Sequence, residues 1–188
     1  MTKYSFSIIC FLLILFSVNG QTCKYKSNGV DKFTNKYIKW TKTEKVVSTS
    51  GPPAVHGELS IRKIDTAYSF ILDYTLSKST PIEQYSINFG AQLLFLLENG
   101  ETVTLKSKDN INGVLKTVKS VGTLALYYCN LTNVDYPISS SQINLLLKYK
   151  IKTIRFYRTE PNGKEDFVDD EVKTKLQDNI QELIKCVI

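Results

Sequence analysis

The sequence predicts an α+β domain: a mainly antiparallel sheet followed by a C-terminal strand-helix-strand-helix, with a helix packed on the sheet. Three observations predict it. Apolar and polar residues alternate in short runs through the first two thirds of the chain, as in Tyr68, Phe70, Leu72 and Tyr74 against Ser69, Ile71, Asp73 and Thr75. Asn99-Gly100 joins two β-rich runs, a hairpin signal read as a type I′ turn with positive φ at both central residues. From Ile138 onward two segments carry apolar residues at helical spacing.

In chain order, Lys3 precedes an apolar run over residues 8–16, and Ser17-Val18-Asn19-Gly20 follows. That is the order of a secretory signal, so residues 1–20 read as a signal peptide and residues 21–188 as a single α+β domain. The run is shorter than the about 20 residues a spanning helix needs. No later run is long enough either, so the exported chain is expected to lack a transmembrane span and to be periplasmic or secreted. Residues 23–34 and 36–47 read as two strands around Thr34-Asn35. Residues 48–53, Ser-Thr-Ser-Gly-Pro-Pro, read as a loop.

Strands follow at residues 59–64 and 67–76, and then the Asn99-Gly100 hairpin. A run at 121–131 is apolar on both sides and reads as a central strand covered on each face. Ser139 and Gln142 form a capping-box pattern with Ile138 and Ile143 as staple. Residues 152–158 read as a strand and Pro161-Asn162-Gly163 as a turn. Asp169 or Asp170 is then expected to cap the final helix, whose stripe is Val172, Leu176, Ile180, Leu183, Ile184 and Val187.

Charge is placed unevenly. Residues 21–45 hold seven lysines against Asp31 and Glu44, and residues 46–188 carry sixteen basic and sixteen acidic side chains. Tyr25, Phe33, Tyr37 and Trp40 interleave with those lysines. Lys36, Tyr37, Lys39, Trp40 and Lys42 are therefore the candidate binding residues, suited to an anionic lipid, a glycan or an acidic protein. Lysine is also what protects an exposed strand edge. Export argues against a nucleic-acid partner.

Three cysteines remain after residue 20: Cys23, Cys129 and Cys186. An oxidising compartment allows one pair and one leftover thiol. Pairing Cys23 with Cys186 is expected over the two alternatives, because chain termini often lie close together.

Enzyme chemistry is sparsely signalled. His56 is the one histidine, and neither a zincin motif, a nucleophile elbow nor a phosphate-binding glycine loop occurs. No cofactor and no metal are expected. The alternative reading is a carboxylate-based hydrolase of an envelope or extracellular substrate, with Asp65 and Asp73, or Glu98 and Glu101, as the acid pair.

Three patterns carry a resemblance. They are Cys23-Lys-Tyr25 with Val30-Asp31-Lys-Phe33-Thr34, then Tyr136-Pro-Ile-Ser139 before Lys152-Thr-Ile-Arg155, and a final helix ending Leu-Ile-Lys-Cys186. In these the chain resembles small exported proteins of Gram-negative bacteria, a group that supplies no activity to carry over. The resemblance implies an envelope or extracellular setting and terminal cysteines that matter. The reading is thus an exported, non-enzymatic domain that binds a partner at the cell envelope.

Overall fold

The computed structural model describes residues 23–49, 54–119 and 125–188. The predicted signal peptide, residues 50–53 of the predicted loop and residues 121–124 of the predicted strand at 121–131 lie outside them. Of the described residues 58% lie in strands and 13% in helices, so the predicted α+β class is corrected to mainly β. The physical reason is what covers the first sheet. Its apolar face meets a second sheet, while the two helices, 9 and 12 residues long, are too short to serve as that layer.

The first sheet runs β1 (Tyr25–Val30), β2 (Tyr37–Thr41), β4 (Ala54–Ile64), β5 (Ala67–Lys78), β11 (Ala125–Ile138), β10 (Val114–Lys119), with β3 (Glu44–Thr49) also paired to β4. The second runs β8 (Thr102–Lys106), β7 (Gln92–Leu97), β12 (Ile151–Thr159), β6 (Ser86–Ile87), β9 (Ile111–Asn112), with β13 (Glu165–Glu171) paired to β12. Neighbouring strands are antiparallel throughout.

Strand alternation turns Leu59, Ile61, Phe70, Leu72, Tyr74 and Leu76 of the first sheet inward. They meet Leu93, Phe95, Leu97, Ile154 and Phe156 of the second. Edge-on aromatic pairs, Phe70–Phe95 at 5.5 Å and Tyr74–Phe156 at 4.5 Å, join the layers.

Several local expectations change. The predicted strand 36–47 is two strands. β2 ends at Thr41, whose hydroxyl accepts from the Ile61 amide at 3.0 Å, and β3 restarts at Glu44 further along β4. The Asn99-Gly100 hairpin is present, but only Gly100 has positive φ (86°). Leu97 donates to the Glu101 carbonyl and Gly100 donates to the Leu97 carbonyl. That is a three-residue loop with a left-handed glycine, not the two-residue type I′ turn.

β11 buries one face rather than two: Cys129 and Leu131 are inside, while Leu126 is exposed. A bulge between Leu131 and Val134 shifts the parity, so Val134, Tyr136 and Ile138 join the core beyond it, while Asp135 is buried in an ion pair with Arg62. Asp73 clips this bulge by accepting from the Asn133 amide at 2.7 Å.

The helix α1 (Ser140–Lys148) has the expected capping box: Gln142 N–H donates to Ser139 Oγ at 3.3 Å, and Ser139 N–H to Gln142 Oε1 at 3.0 Å. The helix α2 (Thr174–Lys185) is not capped by Asp169 or Asp170. Both lie in β13, and Lys173 at the N-cap makes no side-chain cap bond. Asp169 is drawn instead to Arg155 on β12, at 2.5 Å. α2 buries Ile180, Leu183 and Ile184 beside β3 and β4, with Val172 before it and Val187 after it also buried.

A candidate anion-binding end of the first sheet

The β1–β2 hairpin turn is built around Asp31. Its Oδ1 accepts from the Phe33 amide (3.1 Å), the Thr34 amide (2.7 Å) and the Thr34 hydroxyl (2.8 Å). Those donors hold the Asp31 carboxyl below the usual carboxylate range. Asn35 takes the left-handed conformation at φ 60° and donates to the Asp31 carbonyl at 2.9 Å.

This ordered turn presents Phe33 at 99% exposure, with Lys32 and Lys36 exposed on either side. The neighbouring β4–β5 turn stops short of it. Asp65, at φ 52°, donates its amide to the Tyr37 carbonyl (3.0 Å) and accepts the Tyr37 amide (3.1 Å). Residues 31–36 therefore project beyond the adjoining turn.

Below the tip, Lys39 of β2 stands directly opposite Lys63 of β4. Directly opposed residues of an antiparallel pair have Cβ atoms about 5 Å apart, and like charges there are destabilising. Lys63 lies 4.9 Å from the Tyr68 ring centroid. Among the described residues none of Lys32, Lys36, Lys39 and Lys63 is in an ion pair. Asp31 and Asp65 spend carboxylate oxygens on backbone amides.

Strand alternation divides the five residues expected from the sequence. Lys36, Tyr37 and Lys39 belong to this end, and Tyr37 bonds Asn28 through its hydroxyl at 2.7 Å. Trp40 points to the opposite face, opposed by Arg62. There its indole N–H donates to Ser60 Oγ (2.9 Å), with Lys26 Nζ 4.9 Å and the Arg62 guanidinium carbon 5.3 Å from its ring. Lys42 lies beyond β2 and lines a cavity of about 180 Å³ beside Cys23 and Cys186. Those two cysteines sit at disulfide distance, Sγ–Sγ 2.13 Å, and Tyr25 donates to the Cys186 carbonyl at 2.9 Å.

The acid pairs fall differently. Asp65 and Asp73 are eight residues apart along one hairpin arm, roughly 26 Å at the rise of a strand. Glu98 and Glu101 flank the exposed β7–β8 turn. The register does set Glu58 opposite Asp73. Yet His56, bonded at 2.8 Å, holds Glu58 below the usual carboxylate range, and none of the main cavities is lined by either acid.

Cys129 faces the core beside Leu76, whereas His56 opposes Thr75 on the other face, so the sheet separates thiol from imidazole. Burial pushes the Cys129 thiol up. Among the described residues no group of three or more His, Cys, Asp or Glu side chains is placed to hold a metal, and no helix is long and apolar enough to cross a membrane.

Compared with known protein families, curated proteins and solved structures, the chain matches none. Three residues of this end, Lys32, Phe33 and Lys63, are not among the five binding candidates expected from the sequence. Lys63 enters only through the β2–β4 register, which no local pattern states. Phe33 had a local signal: Asp31 with Thr34 three positions on favours a side-chain-capped turn, and such a turn pushes what lies between into solvent.

Proposed function

We propose that this is an exported, non-enzymatic domain that binds an anionic partner at the cell envelope through the lysine-rich end of its first sheet. The observation that carries this reading is the Lys39–Lys63 opposition, flanked by Lys32 and Lys36 and free of ion pairs among the described residues. Folding gains nothing from like charges in register, whereas a bound anion turns the same arrangement into an attraction. The apolar segment at residues 8–16 and the Cys23–Cys186 pair support an oxidising, extracytoplasmic location.

Retention on an immobilised polyanion, such as dextran sulfate, tests the reading. Wild type is expected to bind at low salt and to elute as salt screens the lysines. Lys36→Glu, Lys39→Glu and Lys63→Glu together should abolish retention. The control reverses Lys106, Lys116 and Lys164, which are exposed elsewhere, and gives the same net charge. Equal loss in both triples would defeat the site, because retention would then follow net charge alone.

A further inference from the structure

We infer that the anionic partner is a phospholipid bilayer surface, and that Phe33 enters its interface while the surrounding lysines stay among the headgroups. The inference rests on the anion-binding reading above and adds the class of partner to it.

Two observations choose a bilayer over a glycan or an acidic protein. The first is the apex itself. A phenyl ring at 99% exposure, beside Val30 at 59%, lies on a turn that its own hydrogen bonds hold in shape. A ring that touches nothing adds nothing to the stability of the fold, and together with Val30 it offers apolar area that is buried only against a partner. The second is shape. Residues 31–36 project past the β4–β5 turn, and the tip lines none of the main cavities.

A glycan or a folded protein is normally held in a concave or flat site. A convex apolar point ringed by lysines fits a soft medium that is anionic at its surface and apolar a few ångströms below. Each lysine near such a surface adds attraction, and the ring adds the burial term that a soluble polyanion cannot supply. Lysine suits this role because headgroups demand no fixed geometry, unlike a bidentate carboxylate or phosphate site.

The protein is purified in the form the cell accumulates, so that wild type and variants share one N-terminus. It is then sedimented with vesicles of phosphatidylglycerol and phosphatidylcholine, and with pure phosphatidylcholine. Wild type should bind the mixed vesicles and not the neutral ones.

Phe33→Ala should weaken vesicle binding roughly tenfold and leave retention on dextran sulfate unchanged. Phe33→Trp should show a blue-shifted emission on mixed vesicles, read against wild type, whose one tryptophan is Trp40. Unchanged vesicle binding by Phe33→Ala, or no shift for Phe33→Trp, overturns the bilayer inference. In that case the anion-binding reading stands if the three lysine reversals still abolish dextran sulfate retention. Retention that survives those reversals sinks both.

Discussion

Two strand pairs of this molecule handle charge in opposite ways. On β12–β13 each arginine stands directly opposite an aspartate, Arg155 with Asp169 and Arg158 with Asp166. Their guanidinium–carboxylate contacts are as short as 2.5 and 2.6 Å. Both carboxyls are held below the usual range, Asp169 chiefly by the Arg155 hydrogen bond. On β2–β4 the opposed pair is Lys39 with Lys63, and no carboxylate answers either among the described residues. The arginines of β12 are matched within the fold, and so is Arg62 of β4, which pairs with the buried Asp135, whereas Lys39 and Lys63 are not. Local choices that conflict with the fold are expected where function, not stability, sets the residue. On the proposed function, this contrast sets the lysine end apart as the binding site and the arginine arm as a support.

The strongest way to break this comparison is to release the basic hairpin from the rest of the chain. Cys23 precedes β1 and Cys186 follows α2, with a separation of 163 residues. Cys186→Ser should cost about 5 kcal/mol on the chain-entropy account of long loops. A large fall in the denaturant midpoint checks it, and a disulfide-linked peptide pair from non-reducing digestion checks the pairing. Unaltered stability would mean that the hairpin is held by its strand pairing alone.

Next in size is the matched arm. Arg158 keeps 12% of its side chain exposed, donates to Asp166 and to the Tyr74 hydroxyl (3.0 Å), and stacks 4.2 Å from the Tyr85 centroid. Burial pushes Tyr74 up to about 12, so its phenol stays neutral as the acceptor. Arg158→Ala strands a carboxylate and a buried hydroxyl, and should destabilise by about 3 kcal/mol. Thermal unfolding of this variant beside Lys63→Ala, expected to be neutral or slightly stabilising, puts the two arms on one scale. Similar losses in both would erase the distinction drawn between them.

The same two arms show what a sequence discloses. Ser139 with Gln142 is legible because both halves of the box lie three residues apart. The Asn99-Gly100 hairpin is legible for the same reason, although the number of loop residues, which decides how many positive φ values are needed, is not. Asp169 and Asp170 mislead because two acids before a helical stripe match the signature of a helix start. Arg155, fourteen residues upstream, takes Asp169 for the sheet instead. The fold class fails similarly: alternation shows that a strand has an apolar face but not whether a helix or a second sheet will cover it. Within the candidate site, Lys36, Tyr37 and Lys39 are neighbours in sequence and visible, whereas Lys63 depends on its pairing with Lys39, from which it lies 24 residues away in sequence. Trp40 shares the lysine-rich stretch in composition, but the strand period turns it to the other face.

A charge swap sharpens the comparison with a smaller effect. Lys39→Glu makes an opposite-charge pair with Lys63, and Lys63→Glu does the same with Lys39. Each single variant should gain about 0.5 kcal/mol at low ionic strength. The double variant again opposes like charges and should fall back toward wild type. Urea midpoints at low and high salt give the whole cycle, and salt should flatten it. Both single variants should bind anions less well while being more stable, which separates binding from folding. Additive gains in the double variant would show that the two side chains do not sense each other.

The smallest effect expected is in acid, at the tip itself. The Asp31 carboxyl is lowered in the fold by its bonds from Thr34 and Phe33. A group whose folded pKa lies below its unfolded value contributes above the unfolded value, near pH 4, and that contribution is lost as pH falls through the folded pKa. The turn should thus keep its shape from neutral pH down to about pH 4 and loosen only below. The Thr34 amide reports this directly, since its proton is bound to Asp31 Oδ1 at 2.7 Å. Its chemical shift should move in strong acid, and Asp31→Asn should remove most of that movement. Asp166 and Asp169 have lowered carboxyls too, so β12–β13 also weakens in acid. There the lost partner is an arginine on the facing strand, and the reporting amides belong to a sheet edge. A Thr34 shift that titrates near neutrality would show that Asp31 is not what fixes the tip, and that Phe33 is presented by some other constraint.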